Sequence, residues 1–245
     1  MILAPKLVAS DSGKTGLAIG QIARLVFASR SGNRAFLAFG LQMGIPAILI
    51  AWMPTYLNRV YAIEPKKAAL MAAGFVLAAG VGILFGGGIA DRLSAATRRY
   101  RAIVPAGYAL ICGIALFTAF ALPPGPWSLA LIAVGAVFAA AHGGSALALL
   151  MDVTHPSIRA TVTAAAVLGA GLLGLAPGPY LVGVLSDLAN LPTALMTVSL
   201  IPVVAAALFV WASRYHGSDV AALQGGGSEE IAAGAPNVPL SRAAS

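Results

Sequence analysis

Long uncharged stretches alternate along the chain with short segments that hold nearly all of its charge. Six apolar windows stand out, at residues 35–57, 68–90, 103–122, 127–151, 161–186 and 194–213. A helix needs about 20 apolar residues to cross the hydrocarbon layer. Lipid cannot satisfy backbone N–H and C=O groups, so each window must be a helix or a strand of a closed barrel. Barrel strands would be about ten residues long with strict alternation, whereas these runs are longer and uniformly apolar. The pattern therefore predicts an all-α membrane protein with six transmembrane helices across residues 35–213. Every Lys, Arg, Asp and Glu falls outside these windows or at their margins.

The flanks read differently. Residues 1–34 precede the first window. Within them, residues 13–29 can place Leu17, Ile22, Leu25 and Val26 on one helical face and Gln21 and Arg24 on another, as in a helix lying on a membrane surface. Residues 214–245 are rich in Gly, Ala, Ser and Pro and predict a disordered tail. Twelve of the fifteen Lys and Arg residues lie on one side of the predicted spans, and only Arg59, Lys66 and Lys67 on the other. The positive-inside rule then puts both termini in the cytoplasm of a multi-pass cell-membrane protein.

Composition narrows the classes further. Apolar residues make up 59% of the chain and charged residues 9%, against about a quarter charged in a soluble domain. The net charge of +7 follows from topology and calls for no nucleic-acid partner. Cys112 is the sole cysteine, so the chain can form no internal disulfide and no cysteine-based metal site. Trp52, Trp127 and Trp211 fall near span boundaries, where aromatic anchors belong.

Two segments repeat in opposite orientation. The second window ends Gly87-Gly88-Ile89-Ala90-Asp91 and the fifth ends Gly183-Val184-Leu185-Ser186-Asp187. Three-helix units related this way are the mark of inverted repeats in secondary transporters. The run Gly87-Gly88-Ile89-Ala90-Asp91-Arg92, followed by Arg98, Arg99 and Arg101, resembles the cytoplasmic signature of the major facilitator superfamily. Residues 51–57, 155–161 and 174–187 resemble the family's seventh helix, its tenth-to-eleventh turn and its eleventh helix. The loop length and Val104-Pro105 are similar to the spinster-like branch. The stretch Ser94-Ala95-Ala96-Thr97 departs from the family pattern, which has glycine and more basic residues there. The resemblance implies one half, the C-terminal six helices in a 3+3 inverted repeat, of a twelve-helix transporter. Residues 1–34 resemble the family's cytoplasmic linker between halves and are expected to serve as one. Either the N-terminal half is encoded upstream in a longer gene, or it is a separate six-helix chain.

His142 is the ionisable side chain deepest in a span. Such residues are costly in lipid and tend to serve function, and an imidazole titrates near neutral pH. It is a candidate for proton coupling or solute contact, against the plainer reading of a neutral histidine bonded across helices. By resemblance, Gln42 and Tyr180 lie with it on cavity-lining helices, and Tyr56 lies towards the outer mouth. Each also reads as interhelical glue. Asp91, Arg92, Arg98, Arg99 and Arg159 form a candidate conformational latch at the inner face, or else a solvated charge cluster. Gly174, Pro177, Gly178 and Pro179 predict close helix packing and a bend, with a hinge as the sharper reading.

The function implied is secondary active transport of a small organic solute, anionic or amphiphilic, by alternating access. Its partners would be the lipid bilayer, the solute, H+ or another coupling ion, and a second six-helix half. Nothing calls for a cofactor or a metal. An intramembrane protease built on Ser145 is disfavoured, because His142 sits three residues before it on one helix. A regulatory six-helix subunit that does not itself transport is the alternative.

Overall fold

Prolines mark where two of the helices begin: Pro65 and Pro126 each occupy a first helical position, where the missing N–H has no intrahelical role. The computed structural model describes residues 30–96, 100–154 and 158–234. Its elements are α1 (Arg30–Tyr61), α2 (Pro65–Ala96), α3 (Tyr100–Ala121), α4 (Pro126–Asp152), α5 (Arg159–Ala170), a π-helical turn (Gly171–Leu175), α6 (Pro177–Leu188), α7 (Leu191–Val198) and α8 (Ile201–Gly234). Together they make six apolar lengths sufficient to cross a membrane: Ser31–Tyr61, Pro65–Leu93, Ile103–Ala121, Pro126–Asp152, Arg159–Leu188 and Leu191–Ala221. The described residues are all-helical, as the sequence predicts, with α5, the π-turn and α6 stacked into span five and α7 and α8 into span six.

Both interruptions have local causes. Pro177 and Pro179 have no N–H to continue the α ladder of span five. The preceding turn widens, and the Ala176 amide donates to the Gly171 carbonyl five residues back at 3.0 Å. In span six, Pro202 leaves Val198 without its donor four residues on. The chain turns at 199–200, where the Ser199 hydroxyl donates to the Leu195 carbonyl at 2.7 Å. Asn190 caps α7 by accepting from the Thr193 amide at 2.9 Å.

Where composition predicts a disordered tail from residue 214, α8 instead continues as helix to Gly234. Side-chain tethers explain its first turns. Asp219 accepts from the Ser31 amide and hydroxyl at the start of α1. His216 faces Asp152 at the end of α4, 3.8 Å away. The Arg34 guanidinium lies over the rings of Trp211 and Tyr215, 4.1 and 4.6 Å from their centroids. The surface helix expected over residues 13–29 lies outside the described residues.

The core is split in depth. Near the end of the bundle that holds Ser31 and Asp219, one cluster gathers Phe36, Phe39, Ala109, Ala146, Leu149, Ala166 and Phe209. Towards the opposite end, a second gathers Ile45, Ile48, Met53, Cys112, Leu116, Ile132, Ala139 and Leu195. Glycines allow the closest crossings. Gly174 of the π-turn lies against the Gly40 carbonyl and the Gly44 amide of α1, and Gly82 and Gly86 of α2 lie against the α4 backbone at Val137 and Ala141. No Cβ fits at Gly82, Gly86 or Gly174, so the small-residue spacing works here as close-packing chemistry.

Candidate functional site

Two features distinguish this bundle: a polar layer sealed inside it and an apolar face left open. The layer lies where the two core clusters meet. On α1, Gln42 falls between Phe39 of one cluster and Ile45 of the other. On α4, His142 falls between Ala139 and Ala146. Gln42 and His142 are both 0% exposed. The rings of Phe39 and His142 lie 6.2 Å apart between centroids, which brings α1 and α4 together at this depth. Cys112 of α3 sits against Gln42.

The hydrogen bonding of this layer is incomplete. His142 Nδ1 lies 2.7 Å from the Ala139 carbonyl. A carbonyl only accepts, so Nδ1 carries the proton and Nε2 presents a lone pair in the neutral ring. Nε2 has no partner among the described residues, and neither does Oε1 or Nε2 of Gln42. Ser145 is satisfied by donating to the His142 carbonyl at 2.9 Å. That hydroxyl is turned back along its own helix and is not paired with the imidazole.

Spans two and five are the open ones. Only 17% and 22% of their most apolar stretches are buried within the chain, against 44–61% in the other four spans. Leu70, Leu77, Leu84 and Phe85 of α2 are exposed, as are Leu168, Leu172 and Tyr180 of span five. A shallow apolar groove between α1, α2 and α4, lined by Pro46, Leu49, Phe75 and Ala136, has Ile50 and Val76 at its rim.

The other candidate residues are dispersed. Tyr56 is buried between the rings of Tyr61 and Phe120, with centroids 5.9 and 5.2 Å away. It is 14 residues beyond Gln42, about 21 Å along the helix. Tyr180 is 71% exposed on the open face, so it does not share the layer of Gln42 and His142. Asp91 and Arg92 are exposed at the end of span two, and Arg159 is exposed at the start of span five. Arg98 and Arg99 lie outside the described residues. Gly174 and Gly178 both pack on α1, while Pro177 and Pro179 open α6. Trp52, expected as an interfacial anchor, also donates from its indole to the Pro179 carbonyl at 2.9 Å and ties α1 to α6, a contact the sequence does not reveal. Pro46, four residues after Gln42, is not among the expected site residues, although that spacing is visible in the chain.

The described residues form a six-span, all-helical bundle whose second and fifth spans are the least buried. Residues 5–179 match the family model of the Major Facilitator Superfamily, and the chain belongs to that family. Its fold is similar to the inward-facing, unoccupied crystal structure of a bacterial homologue of the human lysosomal transporter Spinster, at a TM-score of 0.72 and 20% identity. That match covers 86% of this chain and 53% of the other. The inward-facing, occupied structure of such a homologue gives a TM-score of 0.64 at 19% identity, covering 76% of this chain and 50% of the other. The chain thus spans about half the length of the solved structures it matches. No curated protein matches it by sequence.

Proposed function

We propose that this chain is the C-terminal half of a secondary active transporter for a small organic solute. The open apolar face of spans two and five meets a second six-helix bundle, and rocking of the two halves alternates access to a site between them. One observation carries this reading: the least buried spans, at 17% and 22%, are two and five. The large exposed side chains of these spans are mostly Leu, Val, Phe and Ile, with Tyr180 among them. The solute is anionic or amphiphilic, with lysolipids as the model class, and H+ or another ion drives it. Both termini lie in the cytoplasm.

Within this scheme Asp91 and Arg92 serve as an inner-face latch with Arg98, Arg99 and Arg159, and Asp91 meets the positive end of a helix in the other half. Tyr180 stands on the face that borders the solute path. Gln42 and His142 reach the path only if the bundle opens between α1 and α4. The π-turn with Pro177 and Pro179 supplies the bend about which span five adjusts.

The test is solute uptake by proteoliposomes holding this chain assembled with its second half. A panel of labelled lysolipids and organic anions is offered under an imposed pH gradient. Gradient-dependent uptake of one class supports the proposal. An assembly that binds and modulates another transporter while moving none of the panel contradicts it and favours the regulatory subunit. In the working assembly, Asp91→Asn should shift the inward–outward balance. Unaltered cysteine accessibility on both sides removes the latch from the account.

A further inference from the structure

We infer that the polar layer between the two core clusters holds an ordered water, bound by Gln42 and His142 at the Pro46 position of α1. Three observations converge on this. His142 Nε2 is an unpartnered acceptor in a fully buried ring, because Nδ1 is committed to the Ala139 carbonyl at 2.7 Å. The Gln42 carboxamide, also 0% exposed, has no nitrogen or oxygen partner for either of its atoms, and its contact with Cys112 is to a weakly hydrogen-bonding sulfur. Pro46 is the residue whose N–H would have bonded the Gln42 main-chain carbonyl, so that carbonyl loses its helical donor as well.

These groups share one depth. Phe39 of α1, one turn before Gln42, is in ring contact with His142. A Cβ built on Gly143 would lie 3.5 Å from Met43 Cε, the side chain next to Gln42. One turn further along α1, Pro46 lines a groove with Ala136, six residues before His142 on α4. A buried water typically makes two to four hydrogen bonds to otherwise unsatisfied groups. Here it donates to His142 Nε2 and to a Gln42 oxygen, and accepts from the Gln42 amide. Ordered waters are a recognised means of satisfying backbone groups freed by proline in membrane helices. The protein's own groups cannot complete the set. His142 offers no second donor in its neutral form, and the Cys112 thiol beside Gln42 is a weak donor.

The water gives the two apolar clusters a fixed meeting point. A buried polar contact that fails if the helices slip specifies register, as single polar residues do in coiled coils. The site belongs to the interior of this half and does not depend on the direction or substrate of transport.

Two measurements on the chain in lipid bilayers test this. The first is water-edited solid-state NMR with 15N-labelled histidine, the His142 signal being the one lost in His142→Leu. A neutral, Nδ1-protonated ring that receives magnetisation from water, with the transfer weakened in Gln42→Leu, supports the site. A ring protonated at Nε2, or one correlated directly with the Gln42 amide and receiving no water transfer, overturns it. The second is thermal unfolding of Gln42→Leu, His142→Leu and the double variant. Each single change should lower Tm by about 2–10 °C, because it strands the remaining polar group. The double variant should regain at least part of that loss. Losses that simply add overturn a shared occupant.

Discussion

Asp219 of α8 accepts hydrogen bonds from both the amide, at 2.9 Å, and the hydroxyl of Ser31, 188 residues earlier in the chain. It acts as a cap supplied from another helix. The first amides of α1 have no carbonyl partners within the helix, and a carboxylate there also complements the positive end of the dipole. Asp219→Ala should cost about 0.5–2 kcal/mol, the range for lost caps, and should speed hydrogen exchange at the start of α1. Ser31→Ala, which keeps the amide bond, should cost less. Equal effects of the two changes would mean that the hydroxyl carries the contact.

Two glycines of α2 separated by a single residue should respond in opposite directions to alanine. A Cβ at Gly82 would run into the Val137 carbonyl of α4, whereas Gly80 has open space around it. Gly82→Ala therefore forces two backbones apart and should destabilise by about 1–3 kcal/mol. Gly80→Ala restores helix propensity and should be neutral or stabilising by up to about 1 kcal/mol. Melting temperatures in one detergent decide this directly. Gly174→Ala should behave like Gly82→Ala, since the α1 backbone at Gly40 and Gly44 faces it.

Ala62 holds a positive φ of 53° in the tight connection between α1 and α2. That conformation costs a residue bearing Cβ roughly 1–2 kcal/mol. The turn around it is held by the Asn58 side-chain amide donating to the Ile63 carbonyl at 2.8 Å. Ala62→Gly should raise the melting temperature, and Ala62→Val should lower it. A fall in stability for the glycine variant would show that the lost backbone entropy of the unfolded chain outweighs the relief.

The spans were legible because lipid demands long uncharged helices, and few other structures place apolar runs such as 68–90 between clusters of charge. Gly174 and Gly178, four residues apart, both lie against α1. What the chain does not reveal is which way each helix faces. Ile48 is buried and Ile50 is exposed on the same helix, yet both are equally at home in lipid, so no polar stripe records the difference. For that reason Tyr180 resembled a companion of Gln42 and His142, although it stands on the exposed face. The π-turn and the extension of α8 past Ser213 were also hidden. The first depends on how two prolines are accommodated against α1, and the second on partners as remote as Ser31 and Asp152.

The central claim is that the apolar face of spans two and five meets protein and not lipid. Its most direct test is photocrosslinking in intact cells from a benzophenone amino acid placed at Leu77 and at Tyr180, with Ile114 of α3 as an exposed position on another span. The account predicts adducts from Leu77 and Tyr180 that map to the apolar spans of a second six-helix major facilitator half, and only lipid adducts from Ile114. Lipid adducts alone from all three positions would contradict it.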